Sequence, residues 1–257
     1  MRDSSMKKVL LICALLAAGV SAFAGDDQFG TKYSAGVDYK LTKGLHLSAS
    51  EEVDLGSSFN FHKSTTSLGT SYKVCDWFKA GLEYSAIGVG KSSGLDWRHR
   101  LSLGLTESVK WDCFRFSLKE TFQATYRVKE DLDTYQYPRT KLVLKTRAKV
   151  SYKPVHSRFT PYAQAELKLL LNGANWTSDD GLTYSFSGHN DVFVNRIRFQ
   201  AGTKYNFTKE HAIELYVHYD YRTDKDIDYS RTLGQLQTIT ITRYPFVGLG
   251  LGYVYSF

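Results

Sequence analysis

The sequence predicts an all-β fold, an antiparallel up-and-down transmembrane β-barrel of 12 strands, with 10 as the alternative, and three observations carry that expectation. The chain ends in Gly248-Leu249-Gly250-Leu251-Gly252-Tyr253-Val254-Tyr255-Ser256-Phe257. Neighbouring side chains of a strand face opposite ways, so this ending gives one face of large apolar groups and one of glycines, the first suited to lipid and the second to a crowded lumen. The other end reads as an export signal: a basic start at Met6-Lys7-Lys8, an apolar run from Val9 to Val20, and the small-x-small site Ala22-Phe23-Ala24 before Gly25. Beyond it no window reaches the roughly 20 apolar residues of a membrane helix, and a chain that crosses a bilayer with strands must close them into a barrel to satisfy its backbone. The expected organisation is a removed signal peptide over 1–24 and one barrel domain over 25–257.

Period-two alternation places strands, in order, at about 31–41, 44–55, 63–74, 77–88, 98–110, 113–128, 139–153, 158–171, 192–207, 211–222 and 238–257. The connections alternate as well. Those near 42–43, 75–76, 111–112, 154–157 and 208–210 are short, while 56–62, 89–97, 129–138, 172–191 and 223–237 are longer and richer in Gly, Ser, Asp and Asn. Short periplasmic turns against long extracellular loops is the asymmetry of outer-membrane barrels, which places Phe257 at the periplasmic rim. Eleven segments are legible, yet single-chain bacterial barrels normally have an even number of strands with both ends periplasmic. A strand merged or missed near one end is therefore expected. The 18 Tyr and 15 Phe suit interfacial girdles, with Trp77 and Trp111 at the periplasmic side and Trp97 and Trp176 at the outer rim or loops.

Magnitude decides which strand face looks inward. Lys141, Lys145, Arg147 and Lys149 share one face of their strand and Leu142, Leu144, Ala148 and Val150 the other. A Lys or Arg facing mid-bilayer lipid costs about 2–4 kcal/mol, so several on one strand must face the lumen. The same sorting turns Arg115, Lys119 and Arg127 inward, and Arg196 and Arg198 as well. With Arg98, Arg100 and Arg158, and with Lys168 facing inward as well, these form a basic ladder, whose expected acidic partners are Glu166, Glu214 and Asp220. Low-dielectric walls lined by one sign of charge concentrate ions of the other sign, here small anionic solutes. The same residues read equally as an ion-pair network plugging a narrow barrel, because small barrels fill with side chains.

Other classes fare less well. The formal charge of +7 falls by two when Arg2, Asp3, Lys7 and Lys8 leave with the leader, and the remainder is spread along strands rather than clustered, so no nucleic-acid partner is expected. The seven His are scattered and the Cys spacing does not suit zinc, so neither metal nor cofactor is expected. Asp179, Asp180, Asp224, Asp226 and Asp228 read as solvated loop acids. Cys75 and Cys113 each sit at a tight turn with two strands between them, a strained setting for a disulfide. Glu51, Glu107 and Glu120 break the apolar face. Pairing about a turn at 111–112 sets Glu120 opposite Leu103 and thus roughly 13 Å along the strands from Glu107, beyond either glycosidase geometry. The contrary enzyme reading is an outer-membrane lipid hydrolase using Ser64 as nucleophile, His62 as base and Glu51 to orient it, since His-x-Ser puts both side chains on one strand face. Against it, the expected register sets Glu51 opposite Ser67, and no oxyanion donor is evident. A non-enzymatic barrel is the stronger expectation.

The segments Arg98-His99-Arg100-Leu101-Ser102-Leu103, Pro161-Tyr162-Ala163-Gln164-Ala165-Glu166-Leu167 and Asn195-Arg196-Ile197-Arg198-Phe199-Gln200-Ala201-Gly202-Thr203-Lys204-Tyr205 resemble the DUF2490 family of outer-membrane proteins common in Bacteroidetes. The resemblance covers most of the mature chain and rests chiefly on the Asn-Arg-x-Arg strand. It implies a membrane barrel of this size in a Gram-negative outer membrane, with no assigned activity. The partners expected are outer-membrane lipid and lipopolysaccharide, the barrel-assembly machinery through the strand ending in Phe257, and a small anionic solute.

Overall fold

The computed structural model describes residues 29–91, 94–128, 138–177, 185–230 and 235–257, the backbone alone over 226–230 and 235–238. The predicted leader and the loop acids Asp179 and Asp180 lie outside the described residues. The strands are β1 (Phe29–Thr42), β2 (Leu45–Gly56), β3 (Phe61–Lys73), β4 (Phe78–Lys91), β5 (Gly94–Trp111), β6 (Phe114–Arg127), β7 (Thr140–Tyr152), β8 (Phe159–Thr177), β9 (Ser185–Asn206), β10 (His211–Ser230) and β11 (Gln235–Ser256). Each pairs with its sequence neighbour, and β1 pairs with β11 to close the barrel.

The expected 12 strands, and the alternative 10, are corrected to 11 among the described residues. Every alternating segment of the sequence is a strand, and none is merged. An odd number closes an up-and-down barrel only when the first and last strands run the same way. β1 and β11 are indeed parallel, in register from Phe29 opposite Val247 to Asp38 opposite Ser256. The seam continues to the last residue: the Phe257 N–H donates to the Asp38 carbonyl at 3.0 Å, and the Lys40 N–H donates to the Phe257 carbonyl at 2.9 Å.

At one end the strands are joined by tight turns. Gly44 adopts φ +94° in the β1–β2 turn, and Asp112 takes φ +52° in the two-residue β5–β6 hairpin, a conformation Asp tolerates better than most residues. At the opposite end, strand pairing among the described residues extends into several of the segments expected as long loops. Segment 89–97 is mostly paired strand, with Leu95 and Trp97 continuing the outward apolar alternation and Asp96 pointing in. β8 to β11 run on past the barrel wall as two hairpins, which part above Arg196 and Arg222, the last paired residues of β9 and β10.

The partition of side chains is inverted relative to a water-soluble domain. The exposed residues include Tyr72, Leu82, Leu101, Leu103, Val109, Phe116, Leu118 and Phe199, whereas the buried ones include Ser85, Asp96, Ser102, Gln123, Glu166, His218 and Asp220. The lumen is the polar core. Its glycine face on β11 is explained by crowding from β10: a Cβ at Gly250 would overlap the Tyr216 ring, and one at Gly248 would overlap the His218 ring.

Candidate functional site

Strand register builds the lumen site from two adjacent rows of side chains. In the upper row, nearer the long-loop end, Lys145 of β7 stands opposite Lys168 of β8, Lys168 opposite Arg196 of β9, and Arg196 opposite Arg222 of β10. Two residues along each strand, the lower row alternates in sign: Arg147, Glu166, Arg198, Asp220. Like charges directly opposite in a sheet repel, and the lower row offsets this for Arg196 and Arg222.

The offset is a continuous chain of ion pairs. Glu166 accepts from Arg147 at 2.8 and 3.0 Å and from Arg196 at 2.5 Å. Asp220 accepts from Arg198 at 2.5 and 2.7 Å and from Arg222 at 3.1 Å, and Arg196 lies 3.8 Å from it. Both carboxylates are almost completely enclosed, at 3% and 0% exposure. Arg196 therefore links the two acids. Lys119, Lys141, Lys145 and Lys168 have no carboxylate within ion-pair distance among the described residues.

The opposite wall differs in character. On β1 to β4 the inward positions are mainly Ser, Gly and acids, with Lys32 bonded to Glu52 at 2.7 Å and Lys63 to Asp54 at 2.6 Å. Ser67 and Ser85 share a hydrogen bond at 2.9 Å. Arg100 of β5 stands opposite Ser85 of β4 and diagonal to Glu83, so the basic residues adjoin a hydroxyl and carboxylate wall.

The bore opens into a cavity towards each end. The cavity at the long-loop end, of about 880 Å³, is lined by Lys32, Lys63, Arg98, Lys141, Lys168, Arg196, Arg198 and Arg222 against only two acids, Asp54 and Asp224. The one at the short-turn end, of about 810 Å³, is lined by Lys79, Lys110, Arg115, Lys149, Lys204 and Glu214. Glu166, Arg147, Ser102 and Gln123 line neither cavity and occupy the level between them, with Gln123 donating to Ser102 at 3.2 Å.

Most ladder residues sort as expected, with two differences. Arg158 precedes β8, is exposed at the β7–β8 turn, and offers its carbonyl to Asn206 rather than its charge to the lumen. Glu214 faces Lys204 across the β9–β10 pair, outside the ion-pair chain. Lys168, also expected inward, stands at the centre of the basic row. Arg127 stands opposite Arg98, and Arg100 donates to Thr125 at 3.1 Å. Cys75 and Cys113 are free thiols.

The residues of the hydrolase reading are only partly assembled. Ser64 donates to Glu51 at 2.5 Å, as does Thr66, and Glu51 stands opposite Thr66 instead of Ser67. His62 is the extra residue where the β2–β3 register shifts between Asp54 and Leu55, and it lines the long-loop-end cavity with Lys63 and Arg98. A bulge reverses facing locally, so His62 turns towards the lumen while Ser64 bonds outward to Glu51. The other outward acids also shift register. The hairpin turns at Asp112 and Cys113, placing Glu120 opposite Leu105, so Glu107 and Glu120 are diagonal neighbours about 7 Å apart, not 13. They sit among Leu103, Leu105 and Leu118 on the apolar face, away from the bore.

Fold and site together define a closed β-barrel with an apolar exterior and a charged, ion-paired lumen. No family model and no curated protein matches the chain. Among solved structures it is similar to the NanC porin, at 16% identity and a TM-score of 0.44 over 75% of this chain and 86% of that one. It is also similar to an anion-selective porin from Comamonas acidovorans, at 10% identity and a TM-score of 0.34 over 85% of this chain and 53% of that one. The translocator domain of the autotransporter NalP from Neisseria meningitidis matches at 13% identity and a TM-score of 0.35, over 70% of each chain.

Proposed function

We propose that this chain is an integral outer-membrane barrel of a Gram-negative bacterium, not an enzyme, that passes small anions through its lumen. The observation that carries the reading is the basic row of Lys145, Lys168, Arg196 and Arg222 beside a cavity whose cationic side chains far outnumber its acids. Such a lining raises the local concentration of anions and lowers that of cations. The apolar exterior supports a bilayer setting, and the register shift at His62, with Ser64 bonded to Glu51, counts against the hydrolase reading. The leader, the DUF2490 resemblance, lipopolysaccharide contact and delivery by the assembly machinery through the strand ending in Phe257 belong to the same proposal.

The test is conductance of the refolded protein in a planar bilayer under a KCl gradient. Channel activity with a reversal potential of the anion-selective sign is expected, and Lys141→Glu combined with Lys168→Glu is expected to reduce that selectivity. Cation selectivity would overturn the reading. A second reading, a plugged structural barrel, is favoured by the enclosure of Glu166 and Asp220 at mid-height, and a complete absence of conductance would select it.

A further inference from the structure

We propose that the long-loop-end cavity is a saturable binding site for a multivalent oxyanion, a solute bearing two or more negative charges on phosphate or carboxylate groups, held by Lys141, Lys168 and Arg196. This deepens the anion-path reading and rests on the same lumen, but it makes a separate claim, since a path can prefer anions without binding any of them.

Charge is the first part of the argument. Glu166 and Asp220 are fully engaged by Arg147, Arg196, Arg198 and Arg222. Lys145, Lys168 and Lys141 are left within a low-dielectric lumen with no carboxylate at ion-pair distance among the described residues. An enclosed charge without a partner is costly, and a bound anion removes that cost.

Unused hydrogen-bonding capacity is the second part. Arg196 and His218 both line this cavity, and each carries a buried nitrogen, Nε and Nδ1, with no hydrogen-bond partner among the described residues. His218 is 4% exposed and is held by the Phe246 ring, stacked at a centroid distance of 6.0 Å, and by the space left at Gly248. Arg222 lies over the other part of that stack, 3.7 Å from the Phe246 centroid. These groups are positioned by packing and not by a ligand, which is what a preformed site requires.

Valence and shape follow from the register. Lys168 and Arg196 are direct cross-strand neighbours, about 5 Å apart at Cβ, so one ligand with several charged oxygens can bridge them while a halide neutralises one. The planar guanidinium of Arg196 and the ammonium of Lys168 are the donor types that suit carboxylate or phosphate oxygens. The cavity volume of about 880 Å³ accommodates a small organic anion.

The experiment is calorimetric titration of the full refolded barrel in detergent at fixed ionic strength, with inorganic pyrophosphate, citrate and acetate as probes. Saturable binding of pyrophosphate or citrate, with acetate not saturating over the same range, is expected, and whichever binds more tightly names the group preferred. Lys168→Met and Lys141→Met, each verified as folded by heat-modifiable migration, are expected to weaken that binding about tenfold, as for loss of one charge-assisted contact. Lys110→Met, at the far cavity, is expected to leave it unchanged. Absence of saturation, or equal weakening by all three variants, would overturn the site. Anion-selective conductance without such binding would sink this proposal and leave the path reading intact, and binding without conductance would do the reverse.

Discussion

At the scale of single residues, the glycines of β11 are as informative as the charges. They share the inward face because Tyr216 and His218 reach across from β10 and occupy the space that a Cβ would need. Gly250→Val is expected to force the Tyr216 ring aside and lower stability by about 1–3 kcal/mol, the usual cost of overpacking. Urea unfolding in lipid vesicles checks this, and a variant as stable as the parent would show that the ring moves freely. Glu166 is the second sensitive position, because Arg147 and Arg196 both lean on it. Glu166→Gln is expected to cost about 3 kcal/mol in the same assay, since removing one partner leaves enclosed charge uncompensated. Both Glu166 and Asp220 could be named from the sequence as lumen acids, because alternation assigns the face of every strand residue. The like-charged row could not, because it depends on which residues stand opposite one another.

At the scale of strands, alternation located all eleven elements, and the even-number expectation added a twelfth that the parallel seam makes unnecessary. Strand ends were less legible. Antiparallel pairing continues past the apolar belt in β8 to β11, where Gly, Ser and Asp compose what reads as loop. Register was the weakest point, since it is set by turn geometry: moving the β5–β6 turn from 111–112 to Asp112 and Cys113 shifts every pair beyond it and brings Glu107 and Glu120 diagonally together. The register shift at His62 was equally invisible, and it removes His62 from the plain alternation that the His-x-Ser pairing assumed. The seam itself is open to test. Ala35 and Tyr253 are direct partners across it, so Ala35→Cys combined with Tyr253→Cys is expected to cross-link under mild oxidation after Cys75 and Cys113 are replaced by Ser. Folded protein that never cross-links would argue for a different closure.

At the scale of the whole molecule, the partition of side chains makes sense only with two solvents. The outward face carries large apolar groups on every strand, and transferring it to water would expose a continuous apolar belt far beyond the few hundred Å² that soluble proteins tolerate. The tryptophans report on that belt directly. Trp77 and Trp111 are exposed at the short-turn end, at 58% and 72%, and Trp97 at 49% near the other rim, whereas Trp176 at 8% packs between Ala174 and Phe186 inside the β8–β9 hairpin. Aromatic girdles sit at the boundary of the hydrocarbon layer, where an amphipathic ring meets both phases. Fluorescence of the barrel in vesicles of brominated lipid is therefore expected to be quenched more by bromines near the headgroups than by bromines near the chain ends. Trp97→Phe should remove part of that shallow quenching, and Trp176→Phe should remove none. Equal quenching at all depths, or loss of the signal with Trp176, would mean that the apolar face meets something other than acyl chains, and the inward assignment of the arginine and lysine rows would fall with it.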